Sequence, residues 1–320
     1  MKRMKMWFII AASLILVGCM IFAGVMSVLK WDFRKLSTVK YEDNSYEIEE
    51  TFQNISVSTD TADVVFVPSE TSKRSVVCYE QKNVKHSVAV KDNTLVIEVV
   101  DTRKWYEHIG FSFGSPKITV YLPAGEYAGL SVKVSTGDVE VPGIFKFNSI
   151  DISASTGDVK NYASASGDMK IKATTGNIFI KGVSAGELLL SVSTGDITAD
   201  SVTCAGEIKV NVSTGKTYLN DVTCKSVKSS GNTGDISLKN VIAQEKFSVE
   251  RSTGDVKLDK CDAAELMIKT DTGDVNGNLL SEKVFITRTD TGHVNVPKTV
   301  TGGKCEIETD TGSIKITIGD

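Results

Sequence analysis

Ser135-Thr136-Gly137-Asp138-Val139 returns as Ser155-Thr156-Gly157-Asp158-Val159, as Ser193-Thr194-Gly195-Asp196-Ile197 and as Ser252-Thr253-Gly254-Asp255-Val256. Aligned on the glycine that follows threonine, the chain reads Gly137, Gly157, Gly176, Gly195, Gly215, Gly234, Gly254, Gly273, Gly292 and Gly312, each 19 or 20 residues from the last. A period of that length, held ten times, means stacked structural units, each too short for two long helices.

The chemistry of the period is that of strands. Two places after each glycine stand Val139, Val159, Ile178, Ile197, Thr217, Ile236, Val256, Val275, Val294 and Ile314, and the residue between is mostly polar. Ahead of the turn, Val132 and Val134, Ile152 and Ala154, Ile171 and Ala173, and Val210 and Val212 alternate with polar residues. A period of two puts one apolar face inward. Each coil is therefore a strand, a Thr-Gly turn that uses the positive φ open to glycine, a second strand and a further corner. One coil alone cannot bury its apolar face, whereas coils stacked at about 4.8 Å share a continuous core. The predicted fold is all-β, a parallel β-solenoid (β-helix) of 19–20-residue coils over residues 131–320, a rod of roughly 45–50 Å.

Residues 46–130 are less regular but similar in kind. Ser58-Thr59-Asp60-Thr61-Ala62-Asp63-Val64 reads as a decayed turn with Ala62 in the glycine's place, and 95–99 and 117–123 read as strands. This part is expected to supply N-terminal coils and a cap. Residues 30–45 are polar and read as a linker.

At the N-terminus, a leader of residues 1–5 carries Lys2, Arg3 and Lys5, and an uncharged apolar run fills residues 6–29. A helix needs about 20 such residues to cross the hydrocarbon core. The run predicts a single transmembrane helix, uncleaved because the apolar stretch is long for a signal peptide. Leu16-Val17-Gly18-Cys19 resembles a lipobox, but the apolar run continues well past Cys19, which favours the anchor over lipidation. Basic residues flank both sides, so the orientation rests on the five-residue leader and the polar β domain behind it, which place that domain outside the cell.

A net charge of -4 argues against a nucleic-acid binder. The six cysteines include no Cys-x-x-Cys pair, and the three histidines are scattered, so neither a zinc site nor a redox motif is indicated. Cys204, Cys224 and Cys261 fall on small or apolar slots of the repeat and read as buried thiols, although Cys204 and Cys224 stack closely enough that a bridge stays open.

Three motifs imitate function. Asp138, Asp158, Asp196, Asp235, Asp255 and Asp274 follow the turn glycine and would stack into a carboxylate ladder of the kind that binds calcium. Asn177, Lys216, His293 and Ser313 interrupt it, which favours local turn hydrogen bonding over metal. Asp271, Asp290 and Asp310 precede the turn and recur with the period, whereas paired catalytic carboxylates form unique clusters. Gly182-Val183-Ser184-Ala185-Gly186 matches a nucleophile elbow, but a strand follows where the elbow needs a helix. No catalytic residue and no cofactor is expected.

The aromatic stretch from Trp105 to Gly114 breaks the pattern. Trp105, Tyr106, Phe111 and Phe113 are expected either to contact a partner or to fold over the first coil. At the other end the sequence stops inside a coil, at Thr317-Ile318-Gly319-Asp320, which leaves an open strand edge expected to be shielded by a bend, by self-association or by a partner.

The apolar anchor, the Ser135–Val139 motif with its recurrences, and the Leu122-Pro123 step before it resemble a bacterial envelope family of membrane-anchored "putative adhesin" domains of unknown function, LiaG-like proteins among them. The likeness covers roughly residues 46–320. It implies a β-helical ectodomain at the cell membrane and brings no catalytic residues. The expected function is a non-catalytic, single-pass envelope protein whose rod meets an envelope protein or a cell-wall polymer, as an adhesin-like or stress-response module. The alternatives are a carbohydrate-active β-helix lyase or hydrolase, a calcium-stabilised adhesin and a self-assembling β-helical scaffold.

Overall fold

The computed structural model describes residues 2–32, 39–71, 73–104 and 114–319. Helix α1 (Lys2–Val28) carries the apolar run, and its Lys5–Val28 stretch is 24 residues long. At 1.5 Å per residue that is about 36 Å, more than the hydrocarbon core of a bilayer. The described strands after it, from Tyr41 to Ile318, belong to one sheet that coils on itself.

The period of the sequence is the register of the sheet. Like positions of successive coils lie side by side in parallel strands, so apolar columns run the length of the rod. One column passes from Ile97 through Val57, Val132, Ile152, Ile171, Leu190, Val210, Ser229, Val249, Ile268 and Ile307 to Thr287. Most of these side chains are fully buried, and together they form one continuous core. Burying a Val or Ile side chain is worth about 1.5–3 kcal/mol, so stability is distributed along the rod.

All ten turn glycines have φ between +125° and +156°. The requirement is also steric. A Cβ on Gly195 would lie 2.1 Å from the carbonyl oxygen of Gly176 in the coil beside it. The second corner, six residues on, is a left-handed residue too, but a more tolerant one. Gly182, Ser201, Asp221, Asn240 and Lys260 occupy it with φ between 53° and 65°.

At the N-terminal end the ladder changes direction. Nine strands build it: β1 (Tyr41–Ile48), β2 (Asn54–Thr61), β3 (Asp63–Pro68), β4 (Arg74–Gln81), β5 (Val84–Lys91), β6 (Thr94–Asp101), β7 (Lys117–Leu122), β8 (Gly125–Thr136) and β9 (Val139–Val141). β6 and β7 form the outermost parallel rung, and β2 and β3 lie between it and β8 and β9. β5 then pairs antiparallel with β6, β4 with β7, and β1 with β4. These antiparallel strands are the cap. The linker expected over residues 30–45 is shorter than predicted, because Tyr41 to Ser45 already pair with β4.

At the C-terminal end the last coils leave chain order. Strand Gly303–Thr311 pairs with Glu265–Thr272 on one side and with Lys283–Thr291 on the other. The Gly312 coil therefore sits between the Gly273 and Gly292 coils, out of chain order. The chain passes over one rung position, makes the outermost rung with residues 283–295, and returns to fill the gap. Gly303–Thr311 thereby pairs on both sides, as do Ile314 and Lys315, whereas Ile316–Ile318 pair only with Gly277–Leu279, so the edge expected at Thr317–Ile318 stays open on one side among the described residues. The exposed rung is Lys283–Thr291 with Val294–Asn295, and its Val284, Ile286 and Val294 are exposed.

Candidate functional site

The Thr-Gly-Asp corners stack into a hydrogen-bonded ladder. In most coils the amide N–H of the residue after the glycine donates to the side chain at the same position one coil away. Asp138 N–H reaches Asp63 Oδ1, Asp158 N–H reaches Asp138 Oδ1, Asn177 N–H reaches Asp158 Oδ1 and Lys216 N–H reaches Asp196 Oδ1, at 2.7–2.9 Å. The run resumes with Asp255 N–H to Asp235, Asp274 N–H to Asp255 and Ser313 N–H to Asp274. Each of these carboxylates thus accepts a backbone donor. Lys216 enters the row without disrupting it, its ammonium 3.4 Å from Asp235. The second set, Asp271, Asp290 and Asp310, is exposed on the outer face, and Asp290 lies 3.2 Å from Arg288.

Ser184 lies in the two-residue strand Ser184–Ala185, and the next element is the strand Glu187–Thr194. The helix that a nucleophile elbow needs is absent there. Five of the six cysteines, Cys78, Cys204, Cys224, Cys261 and Cys305, are buried free thiols, and Cys19 is exposed on α1. Burial pushes Cys78, Cys224 and Cys305 up to about 12 and Cys261 up to about 11. Trp105, Tyr106, Phe111 and Phe113 lie outside the described residues.

The concave surface runs along the corner that precedes the strand entering the turn. A groove of about 850 Å³ spans five coils there, lined by Glu187, Glu207, Lys225, Lys228, Glu245, Lys246, Glu250 and Met267 among others. A smaller one of about 200 Å³ continues the same corner toward the N-terminus, between Glu126, Lys146, Asn148 and Ser166. The larger groove coincides with a break in the repeat, since the strand register slips between Cys224 and Ser226. Its charges are mixed, Lys225 standing 3.5 Å from Glu245, and Met267 is an exposed apolar side chain on its wall. Mixed charge with apolar patches suits an extended polar chain better than a small molecule.

Two polar clusters sit inside the β-structure. In the cap, His86 Nδ1 is 2.7 Å from Glu80 Oε2, and its Nε2 is 2.9 Å from Thr59 Oγ1. Glu80 also accepts the His86 amide N–H and the Asn44 side-chain amide, each at 2.7 Å. Cys78, Glu80 and His86 bring a sulfur, a carboxylate oxygen and an imidazole nitrogen within 4.8 Å of one another, all buried. A narrow cleft between Thr59, Pro116 and Val99 reaches His86. In the rod, Arg251 is buried and its guanidinium donates to Val212 O at 2.8 Å and to Thr217 Oγ1 at 3.2 Å. It occupies space that Gly231 leaves free, since a Cβ there would lie 2.0 Å from the Arg251 Nη1. Burial pulls the Arg251 pKa down, and its Nε and the Ser229 hydroxyl have no hydrogen-bond partner among the described residues.

The sequence reading missed both clusters. The signal for the second was present: Thr217 is the one polar residue in the Val/Ile row after the turn, and Gly231 and Arg251 stand where other coils have Ala154, Ala173, Val192 and Val212. The signal for the first was Cys78-x-Glu80 followed by His86 on the next strand, alternate positions that share a face.

A family model described as Toastrack DUF4097 matches residues 52–213 and 205–320. No curated protein matches the chain. Among solved structures, a "putative adhesin" from Parabacteroides merdae is 13% identical with a TM-score of 0.54, over 76% of this chain and 97% of its own. A "putative adhesin" from Bacteroides fragilis is 18% identical with a TM-score of 0.43, over 87% of this chain and 97% of its own. A "putative lipid binding protein" from Parabacteroides distasonis is 16% identical with a TM-score of 0.46, over 86% of this chain and 97% of its own. At these identities the first of the three speaks for a shared fold and nothing more.

Proposed function

The chain belongs to the Toastrack DUF4097 family, and on that premise we propose that it is a non-catalytic, single-pass protein of a bacterial envelope, its rod an interaction module outside the membrane. Residues 1–5 stay inside, residues 6–29 span the membrane, and the polar β domain from the cap onward faces outward. The observation that carries this reading is the groove along one corner of the rod, from Glu187 to Met267. It is long, open and of mixed charge. That suits one extended stretch of an envelope protein or cell-wall polymer lying along several coils, with the rigid stack holding its contacts in register.

The test is site-specific photo-crosslinking in intact cells, read by mass spectrometry. A crosslinker at Ser248 or Met267 is expected to capture a discrete partner that one at Lys216, on the turn ladder, does not. Equal capture from both faces, or none from the groove, would remove the reading.

A second reading, end-to-end self-assembly, is favoured by the outermost rung. There the Lys283–Thr291 strand has a partner on one side, and Val284, Ile286, Val294 and Val300 are exposed around it. It predicts that Ile286→Lys lowers the sedimentation coefficient of the detergent-solubilised chain. An unchanged value excludes it.

A further inference from the structure

We infer that Cys78, Glu80 and His86 form a binding site for a zinc-class divalent cation, which ties the cap to the first coils. The three donors come from one hairpin, β4 and β5, so their approach is set locally by strand pairing. Cys78 and Glu80 are two apart and share a face, and His86 reaches them from the next strand. All three are buried, and their ligand atoms lie within 4.8 Å of one another. In a tetrahedral zinc site, sulfur at about 2.3 Å and nitrogen at about 2.0 Å lie roughly 3.5 Å apart. About an ångström of side-chain movement closes the set.

The donors also fit chemically. Thiolate, imidazole and carboxylate together select zinc and its neighbours over calcium or magnesium, which take oxygen ligands. With one thiolate, one carboxylate and one neutral imidazole, a divalent ion gives a site of zero net charge, the condition for burying ions cheaply. Among the described residues the Cys78 thiol makes no hydrogen bond, although it faces the Glu80 carboxylate. Hydrogen bonding alone therefore satisfies His86 and Glu80 and leaves the sulfur unused.

Binding exchanges protons for the ion. Cys78 loses its thiol proton to water. His86 ligates through Nδ1 as the neutral tautomer that carries its one proton on Nε2, where Thr59 Oγ1 accepts it; any proton on Nδ1 is given up to water, and Nε2 takes one from water where it held none. Thr59 belongs to β2, a strand of the first coils, so the ligated His86 joins the cap to the rod. Zinc then acts as a structural clamp.

The experiment uses the full chain in detergent, stripped with chelator and loaded with Co²⁺ and, separately, Zn²⁺. Wild type is expected to retain about one ion per chain after desalting and, with Co²⁺, to show thiolate-to-metal charge-transfer absorption. Zn²⁺ is expected to raise the unfolding midpoint of wild type and not that of Cys78→Ser or His86→Gln. Absence of the charge-transfer band in wild type overturns the assignment whatever the variants do. So does a band that survives in Cys78→Ser, or a shift that Ca²⁺ reproduces, which would place the ion on the aspartate ladder instead.

Discussion

Replacing Gly195 by alanine tests whether the turn ladder holds the rod together. The new Cβ would stand 2.1 Å from the Gly176 carbonyl oxygen, and φ at Gly195 is +137°, a conformation that L-residues avoid. Ordinary contact is about 3.4 Å, so the two coils must separate locally by about 1 Å. Three hydrogen bonds cross between them at that corner: Gly176 N–H to Thr194 O, Ile178 N–H to Asp196 O and Asp196 N–H to Asn177 Oδ1. Losing two or three of them at about 1 kcal/mol each, with backbone strain of about 1–3 kcal/mol, gives a loss of about 3–6 kcal/mol. Gly182→Ala is the control. Its φ is +65° and nothing lies within 4 Å of the added Cβ. Ser201, Asp221, Asn240 and Lys260 already hold that corner with a side chain. It should cost only the left-handed conformation, about 1–2 kcal/mol. The assay is guanidinium unfolding of the full chain in detergent, followed by far-ultraviolet circular dichroism. A Gly195→Ala loss no larger than that of Gly182→Ala would refute the stacking argument.

Asp196→Asn should change stability by less than about 0.5 kcal/mol, because the amide oxygen still accepts the Lys216 N–H as Asn177 does for Asp196; Asp196→Ala should cost about 1 kcal/mol in the same assay. Arg251→Ala should destabilise by about 2–5 kcal/mol by opening a cavity and orphaning Thr217. Arg251→Met with Thr217→Val and Ser229→Val, which restores the apolar rows of neighbouring coils, should be neutral or stabilising by about 1–4 kcal/mol. Stability should also fall in alkali. The folded thiols of Cys224 and Cys305 stay neutral up to about 12, whereas unfolded thiols ionise near 9.0. Above the unfolded value the unfolded state binds fewer protons, so each such thiol removes up to about 1.4 kcal/mol per pH unit until its folded value is reached. Unfolding midpoints measured from about pH 8 to 11 should show this fall, and Cys224→Ala should make it shallower, since Ala243 fills the adjacent coil's slot.

The rod was legible because each coil repeats one local rule. Glycine at the corner and Val or Ile two residues later, as at Gly157 and Val159, require only neighbours one coil away. The two chain ends were not legible, because their order depends on which strands pair across a long separation. Gly312 and Gly292 carry the same motif, and nothing in it says that the later coil inserts before the earlier one. The linker boundary failed for a related reason. Tyr41 to Ser45 are polar, and their strand is made by pairing with β4 rather than by an apolar face. Cys78, Glu80 and His86 were hidden because the set contains no cysteine pair and mixes three donor types across a hairpin. Arg251 was passed over because a single arginine among apolar slots is meaningful only once Gly231 and Thr217 are known to lie beside it.

The order of the last coils has a consequence for how this molecule comes into being. A solenoid whose rungs follow the chain grows as it is made, each new turn settling on the one before. Here that holds only as far as the Gly273 coil. The Gly292 coil has nothing to rest on until residues 303–315 arrive and slide in beneath it, so that rung must wait, unfastened, for strands made after it. The middle of the rod can gain or lose a turn in evolution, but the tip can change only as a pair, and a chain cut short by one coil loses two.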